Sequence, residues 1–165
     1  MKGNVIVCEG TNAKGKFEEC TVDGTPKPGT CMMVKGSTNP AGGRFTYKAF
    51  DRGDGFRAEV CVLREDELQG GLPTTAYVSG ARGFLYWPLP GDELNMLLRD
   101  QPGTGTSLNT QIGDALEIDG ATGMLQGVGS GGPTGSHLHA PFILMEHLGV
   151  DLTENTLVFV KYRGA

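Results

Sequence analysis

The stretch TLVFVKYR (156–163) is rich in β-branched and aromatic residues, and polar and apolar side chains alternate at both of its ends. This pattern is typical of a β-strand with one buried face. Further back, FRAEVCVL (56–63) alternates in the same way, and RGFLYWPL (82–89) is rich in aromatic residues. Together these runs predict a β-sheet in the second half of the chain.

The segments between these runs also read as short strands joined by turns. A Pro-Gly turn opens the run at 93–98, which we interpret as a strand rather than a helical turn. IGDALEID (112–119) and MLQGV (124–128) flank a tight GATG turn and predict a β-hairpin. HLHAPFILMEHL (137–148) predicts a strand that is broken at Pro141, because proline has no N–H for the ladder.

The front of the chain is less continuous. VIVC (5–8), TCMMV (30–34) and RFTYKAF (44–50) are short apolar runs separated by turn clusters. We predict that residues 1–50 form an N-terminal arm or edge β subdomain, which would reach a neighbouring subunit. The turn at 51–55 is the predicted boundary, and residues 51–165 form the predicted compact core domain.

Glycine and proline content supports this assignment. The 165 residues include 27 glycines and 9 prolines, without a Gly-X-Y period, and these residues fall between the apolar runs. Helical periodicity is nearly absent. The predicted fold is therefore all-β: a compact β-barrel or β-tulip-like domain with an extended N-terminal arm or subdomain.

The charge is unevenly distributed. Residues 1–50 carry seven basic and four acidic side chains, and residues 51–165 carry seven basic and fifteen acidic ones. A nucleic-acid-binding protein would show a denser basic patch, so no nucleic-acid partner is predicted. The apolar runs are all shorter than the roughly 20 residues that a membrane-spanning helix needs, so no membrane partner is predicted either.

The four cysteines are Cys8, Cys20, Cys31 and Cys61. No two of them form a C-x-x-C pair, so the spacing does not indicate a zinc ribbon or a redox motif. The first residues, MKGNVIVCEG, lack an apolar region of the length that a signal peptide needs. We therefore expect reduced thiols in a protein made in the cytosol.

Two histidines raise the question of a metal site. The stretch GSHLH (135–139) resembles the strand of lysostaphin-type zinc peptidases that supplies two ligands, here His137 and His139. Residues i and i+2 of a strand face the same side and could share a metal. That family also needs an upstream histidine, and none precedes His137. We predict no catalytic, cofactor-binding or metal-ligating residue and no enzymatic activity, with a zinc-dependent peptidase as an alternative.

Two further motifs are interpreted as turns. Residues 10–16 match G-x-x-x-x-G-K, but Phe17 stands where a phosphate loop needs Ser or Thr for magnesium, and no helix is predicted to follow. The charged run Arg64-Glu65-Asp66-Glu67 is predicted to be a solvated turn.

A longer resemblance covers most of the chain. The stretch VLREDELQGGLPTTAYVSGARGFLYWPLPGDELNMLL (62–98) resembles the capsid decoration, or cement, proteins of tailed bacteriophages. The elements that carry the resemblance are Val62-Leu63, Leu68-Gln69-Gly70, Ala76-Tyr77, the aromatic run from Phe84 to Trp87, and Pro90-Gly91-Asp92. It continues through residues 112–116, the turn at 120–125, the strand at 143–146 and LVFVKYR (157–163).

This resemblance implies a structural role. Such a protein binds the outer surface of the phage head and stabilises contacts between capsomers of the major capsid protein. The resemblance further implies a homo-oligomer, most simply a trimer, located on the outside of the virion. Another phage structural β domain, from a tail or a head-completion protein, is the nearest alternative.

Overall fold

The computed structural model describes residues 15–35, 44–51, 60–66, 71–99, 111–128, 140–148 and 155–164. These residues contain ten strands and no helix, which confirms the predicted all-β class. The strands are β1 (Lys16–Val22), β2 (Cys31–Val34), β3 (Thr46–Ala49), β4 (Cys61–Leu63), β5 (Arg82–Trp87), β6 (Glu93–Leu98), β7 (Ala115–Ile118), β8 (Leu125–Gly127), β9 (Phe142–Leu144) and β10 (Thr156–Tyr162).

The first five strands close into one barrel, which we call the first barrel. Its strand order is β1-β3-β2-β4-β5, and β5 returns to pair with β1. The β1–β3 pair is parallel and the other four pairs are antiparallel. Closure leaves no free sheet edge around the barrel wall.

The last five strands close into the second barrel. Its order is β6-β8-β7-β9-β10, and β10 pairs with β6 over six residues. Here the β6–β8 pair is parallel and the others are antiparallel. The predicted hairpin at 112–128 is present as the antiparallel β7–β8 pair, in which Ile118 lies opposite Leu125.

Each barrel has an apolar interior, and the two barrels also share a core. The interior of the first barrel contains Cys20, Val22, Met32, Tyr47, Cys61, Leu63 and Leu85. The second apolar cluster fills the second barrel and extends to Cys31, Val62 and Tyr86 on the outer face of the first. Alternation along β2, β4 and β5 therefore lets a single strand contribute to two cores.

Asp92 stabilises the turn that links the two barrels. Its carboxylate accepts a hydrogen bond from the Tyr86 hydroxyl at 2.5 Å and another from the Leu89 N–H at 2.8 Å. Asp92 is only 6% exposed, so these bonds satisfy a buried acid at the turn between β5 and β6.

The strand pairing does not divide the chain at residue 50, where we predicted a boundary. The strands of residues 16–49 do not form a separate arm, because β2 pairs with β4 and β1 pairs with β5 in the same barrel. The change of barrel falls between Trp87 and Glu93. The predicted strand at 5–8 lies outside the described residues.

Candidate functional site

A feature of the described residues that could receive a partner is an open groove beside the first barrel. It has a volume of about 420 Å³. The connection between β4 and β5 provides most of its wall. The residues that line it are Pro28, Asp66, Gly71, Leu72, Thr75, Ala76, Tyr77, Val78, Ala81 and Arg82.

Tyr77 holds the wall of this groove against the barrel. Its hydroxyl donates to the carbonyl of Arg64 at 2.7 Å, and its backbone N–H donates to the carbonyl of Pro26 at 2.9 Å. The side chain is 9% exposed. Burial raises the pKa of the Tyr77 hydroxyl well above its ordinary value, and the nearby Asp66 carboxylate adds to the effect. Tyr77 is thus a neutral hydrogen-bond donor with a structural role.

Two tight turns present apolar side chains at the rim of the groove. The Thr75 N–H donates to the Leu72 carbonyl at 2.9 Å, and the Ala81 N–H donates to the Val78 carbonyl at 3.0 Å. Leu72 is 58% exposed and Val78 is 72% exposed. Rigid turns that expose aliphatic side chains beside a groove are suited to contact with another protein.

Charged groups lie along β1 and β5 next to this rim. Glu19 pairs with Arg82 and, through its other oxygen, with Arg44 Nε at 3.3 Å. The Arg82 guanidinium also lies 5.2 Å from the centre of the Phe84 ring. This group of three ions carries one more positive than negative charge, and the Asp66 carboxylate in the groove lining balances it.

The described cysteines are inert rather than reactive. Cys20, Cys31 and Cys61 are free thiols that are at most 1% exposed. Burial raises the pKa of Cys20 to about 12 and raises those of Cys31 and Cys61 well above the ordinary range. Because the thiolate is the nucleophilic form, these thiols are unsuited to covalent chemistry.

The predicted motifs are placed as follows. His137 and His139 lie outside the described residues, so the alternative of a zinc site at these two histidines stays untested. Among the residues that are described, no group of three His, Cys, Asp or Glu side chains could hold a metal. Lys16 begins strand β1 and pairs with Glu18 at 3.1 Å, so the end of the G-x-x-x-x-G-K stretch is a strand rather than a helix N-terminus.

The prediction of a solvated turn at residues 64–67 is wrong for Glu65, which is 2% exposed. Glu65 follows the end of β4 at Leu63, and its buried side chain lies near Tyr77, whose pKa it helps to raise. Sequence reasoning also missed the groove. The only feature of the sequence that indicated the groove was the turn-rich stretch 71–81.

No protein-family model matches this chain, and no curated protein matches it. No helix among the described residues is long and apolar enough to cross a membrane. The segment 62–98 provides most of β4, all of β5 and β6, and most of the groove wall.

Proposed function

We propose that the protein is a structural decoration protein of a tailed-bacteriophage capsid. It binds the outer surface of the head and stabilises contacts between capsomers of the major capsid protein. The observation that carries the proposal is the groove wall of residues 71–82, where the segment resembling decoration proteins presents Leu72 and Val78 to solvent. The role is non-enzymatic and needs no cofactor.

The chemistry of the described residues supports a binding role. Among the described residues, the groups with displaced pKa values are Cys20, Cys31, Cys61 and Tyr77, and burial keeps them in their neutral forms. Groups of this kind stabilise a core; they do not donate or accept protons at neutral pH. A closed barrel with a rigid apolar rim supplies shape-complementary surface instead.

Mass action explains how such binding stabilises a shell. A protein that binds the assembled lattice but not separate capsomers stabilises the lattice by a free energy that grows with the logarithm of its free concentration relative to its Kd. If one particle carries many copies, modest contacts at each site add up over the whole shell.

The test is co-sedimentation of the purified chain with heads of the phage that encodes it, stripped of this protein. We expect saturable binding at many copies per head, and binding of Val78→Asp weakened by tenfold or more. Ile112→Asp is the matched control, because Ile112 is also an exposed aliphatic residue, at 66%, but precedes β7 of the second barrel. No binding of the wild-type chain, or equal binding of Val78→Asp, would reject the proposal.

A further inference from the structure

Residues 75–78 form an extended segment on the wall of the groove. The segment contains no turn or bend, and it lies in the connection between β4 and β5, outside the two closed barrels. All four of its residues, from Thr75 to Val78, line the groove. The hydrogen bonding of its main chain is therefore a property of the candidate site.

One edge of this segment is attached to the first barrel. The Tyr77 N–H donates to the carbonyl of Pro26, in the connection between β1 and β2, at 2.9 Å. In an extended chain the main-chain groups of successive residues point alternately to opposite edges. Since those of Tyr77 point toward Pro26, the groups of Ala76 and Val78 point to the opposite edge, which we call the free edge.

Most main-chain groups at the free edge are unused. In the part of the chain that the structure describes, the N–H and the C=O of Ala76 have no hydrogen-bond partner, and the N–H of Val78 has none either. The Val78 carbonyl is used, because it accepts a hydrogen bond from Ala81 in the following turn. Two donors and one acceptor are thus available, and the two donors are about 7 Å apart at the spacing of an extended chain.

The free edge is also held in place before any partner arrives. The Tyr77 hydroxyl donates to the Arg64 carbonyl at 2.7 Å, and the Gly80 N–H, just after the segment, donates to the Val22 carbonyl at 2.8 Å. A segment that is already extended and anchored loses little conformational entropy when it binds.

We propose that the partner of the groove supplies an extended segment, which pairs with the free edge at Ala76 and Val78 as an added strand. The chemistry of the occupant follows from the hydrogen-bonding pattern, because two N–H groups and one C=O at strand spacing match the main chain of another extended segment. The inference rests on the proposed function, in which this partner is the major capsid protein. It adds that recognition at the groove is made through the main chain.

The side chains of the groove define which segments fit. Side chains of an added strand alternate between its two faces, so every second one lies against the groove. The groove lining there includes Pro28, Leu72 and Ala81, and Leu72 is 58% exposed at the rim. We expect small or apolar residues of the partner at these alternate positions and few restrictions at the positions between them.

The test removes one donor of the free edge from the full chain and measures binding to stripped heads. Ala76→Pro deletes the Ala76 N–H, and proline is compatible with an extended backbone at an edge. We expect binding weakened by tenfold or more. Ala76→Ser keeps the N–H and changes only the side chain, so it should bind as the wild-type chain does.

Ser79→Pro is the matched control. Ser79 is the second residue of the turn from Val78 to Ala81, where proline is favoured because the next residue, Gly80, has a left-handed backbone with φ of 86°. Its N–H does not belong to the free edge, and the change gives up only the exposed hydrogen bond from the Gly24 N–H to the Ser79 hydroxyl. Binding should equal that of the wild type. Circular dichroism must show wild-type strand content for a variant to count.

Hydrogen exchange resolved to single amides tests the same contact without a substitution. In the free chain the amides of Ala76 and Val78 should exchange much faster than that of Tyr77, which donates to Pro26. On stripped heads the exchange of both should slow by at least tenfold, because carbonyls of the added strand accept their hydrogen bonds.

The outcomes separate this inference from the proposed function. Head binding that Ala76→Pro leaves unchanged, or Ala76 and Val78 amides that stay unprotected on heads, would overturn the inference, while the groove proposal is decided by Val78→Asp. Absence of wild-type binding would reject both. Amides of Ala76 and Val78 that are already protected in the free chain would mean that another copy or segment of this chain occupies the free edge, which also overturns the inference.

Discussion

At the scale of single residues, burial gives the described thiols two properties. They stabilise the apolar core, and they resist reaction. The pKa of Cys20 rises from an ordinary value of 9.0 to about 12. This lowers its thiolate fraction near neutral pH by roughly a thousandfold, since each pKa unit is a factor of ten. Cys31 and Cys61 shift in the same direction through burial.

We therefore expect the three thiols to be protected in the folded chain. In a Cys8→Ser background, a disulfide reagent at pH 8 should label Cys20, Cys31 and Cys61 only on the timescale of unfolding, and within seconds in urea. A raised pKa in the folded state means that the unfolded state loses its thiol protons first, so the free energy of unfolding falls as pH rises above about 8.5. Fast labelling without denaturant would contradict the burial of these thiols.

At the scale of elements, the β7–β8 turn is one place where the second barrel contacts the wall of the first. The Gly123 carbonyl accepts a hydrogen bond from the Cys31 N–H at 2.8 Å. Gly123 has φ of 70°, and a Cβ there would lie 2.5 Å from the Cys31 carbonyl oxygen and 2.8 Å from the Phe50 nitrogen. The turn can lie this close only because this residue has no side chain.

Gly123→Ala should therefore destabilise the protein more than backbone strain alone predicts. Gly80→Ala is the matched control, because Gly80 also has a left-handed backbone, with φ of 86°, but has no atom within 4 Å of its Cβ position. We expect a loss of about 1–2 kcal/mol for Gly80→Ala and a clearly larger loss for Gly123→Ala in urea unfolding. Equal losses would mean that the turn adapts without disturbing the other barrel.

Most strands were predictable at this scale because local alternation marks them. The runs at 82–89 and 156–163 became β5 and β10, and the 93–98 run became β6, a strand as predicted. Strand β1 has no counterpart among the predicted strands. Its sequence KFEECTV has few apolar residues, and it exists because six of its residues pair with β5, more than sixty positions away. Tertiary pairing of this kind is not encoded locally.

The candidate site was less predictable for the same reason. Leu72 and Val78 lie in a turn-rich stretch without periodicity, and they form a groove only because Tyr77 bonds to Pro26 and Arg64. The likeness of the two barrels was also hidden, because positions with the same register share neither identity nor burial: the buried Tyr86 corresponds to the half-buried Lys161, and the exposed Lys35 to the buried Asp119. The equivalence of the two barrels is visible in the strand register and not in the residue identities.

At the scale of the whole molecule, the shared core decides how the chain unfolds. Val62, Tyr86 and Cys31 are on the wall of the first barrel but pack with the interior of the second. Opening either barrel therefore exposes apolar surface of the other. A domain with one connected core is expected to unfold in a single cooperative transition, whereas two independent barrels would unfold in two.

The chain offers two probes for this prediction. Its only tryptophan, Trp87, belongs to the first barrel, so its fluorescence reports that barrel, while far-ultraviolet circular dichroism reports both. In urea the two signals should change at the same midpoint for the wild-type chain. Tyr86→Ala removes the ring at the shared core and the 2.5 Å bond to Asp92, and it should separate the two midpoints.

Tyr47→Ala distinguishes uncoupling from simple destabilisation. Tyr47 is buried at 3% exposure, but it lies inside the first barrel and outside the shared cluster. Its loss should lower the urea midpoint while both signals still change together, because the contact between the barrels is intact. If Tyr86→Ala also kept the signals together, or if the wild type showed two transitions, the shared core would not be what couples the two units.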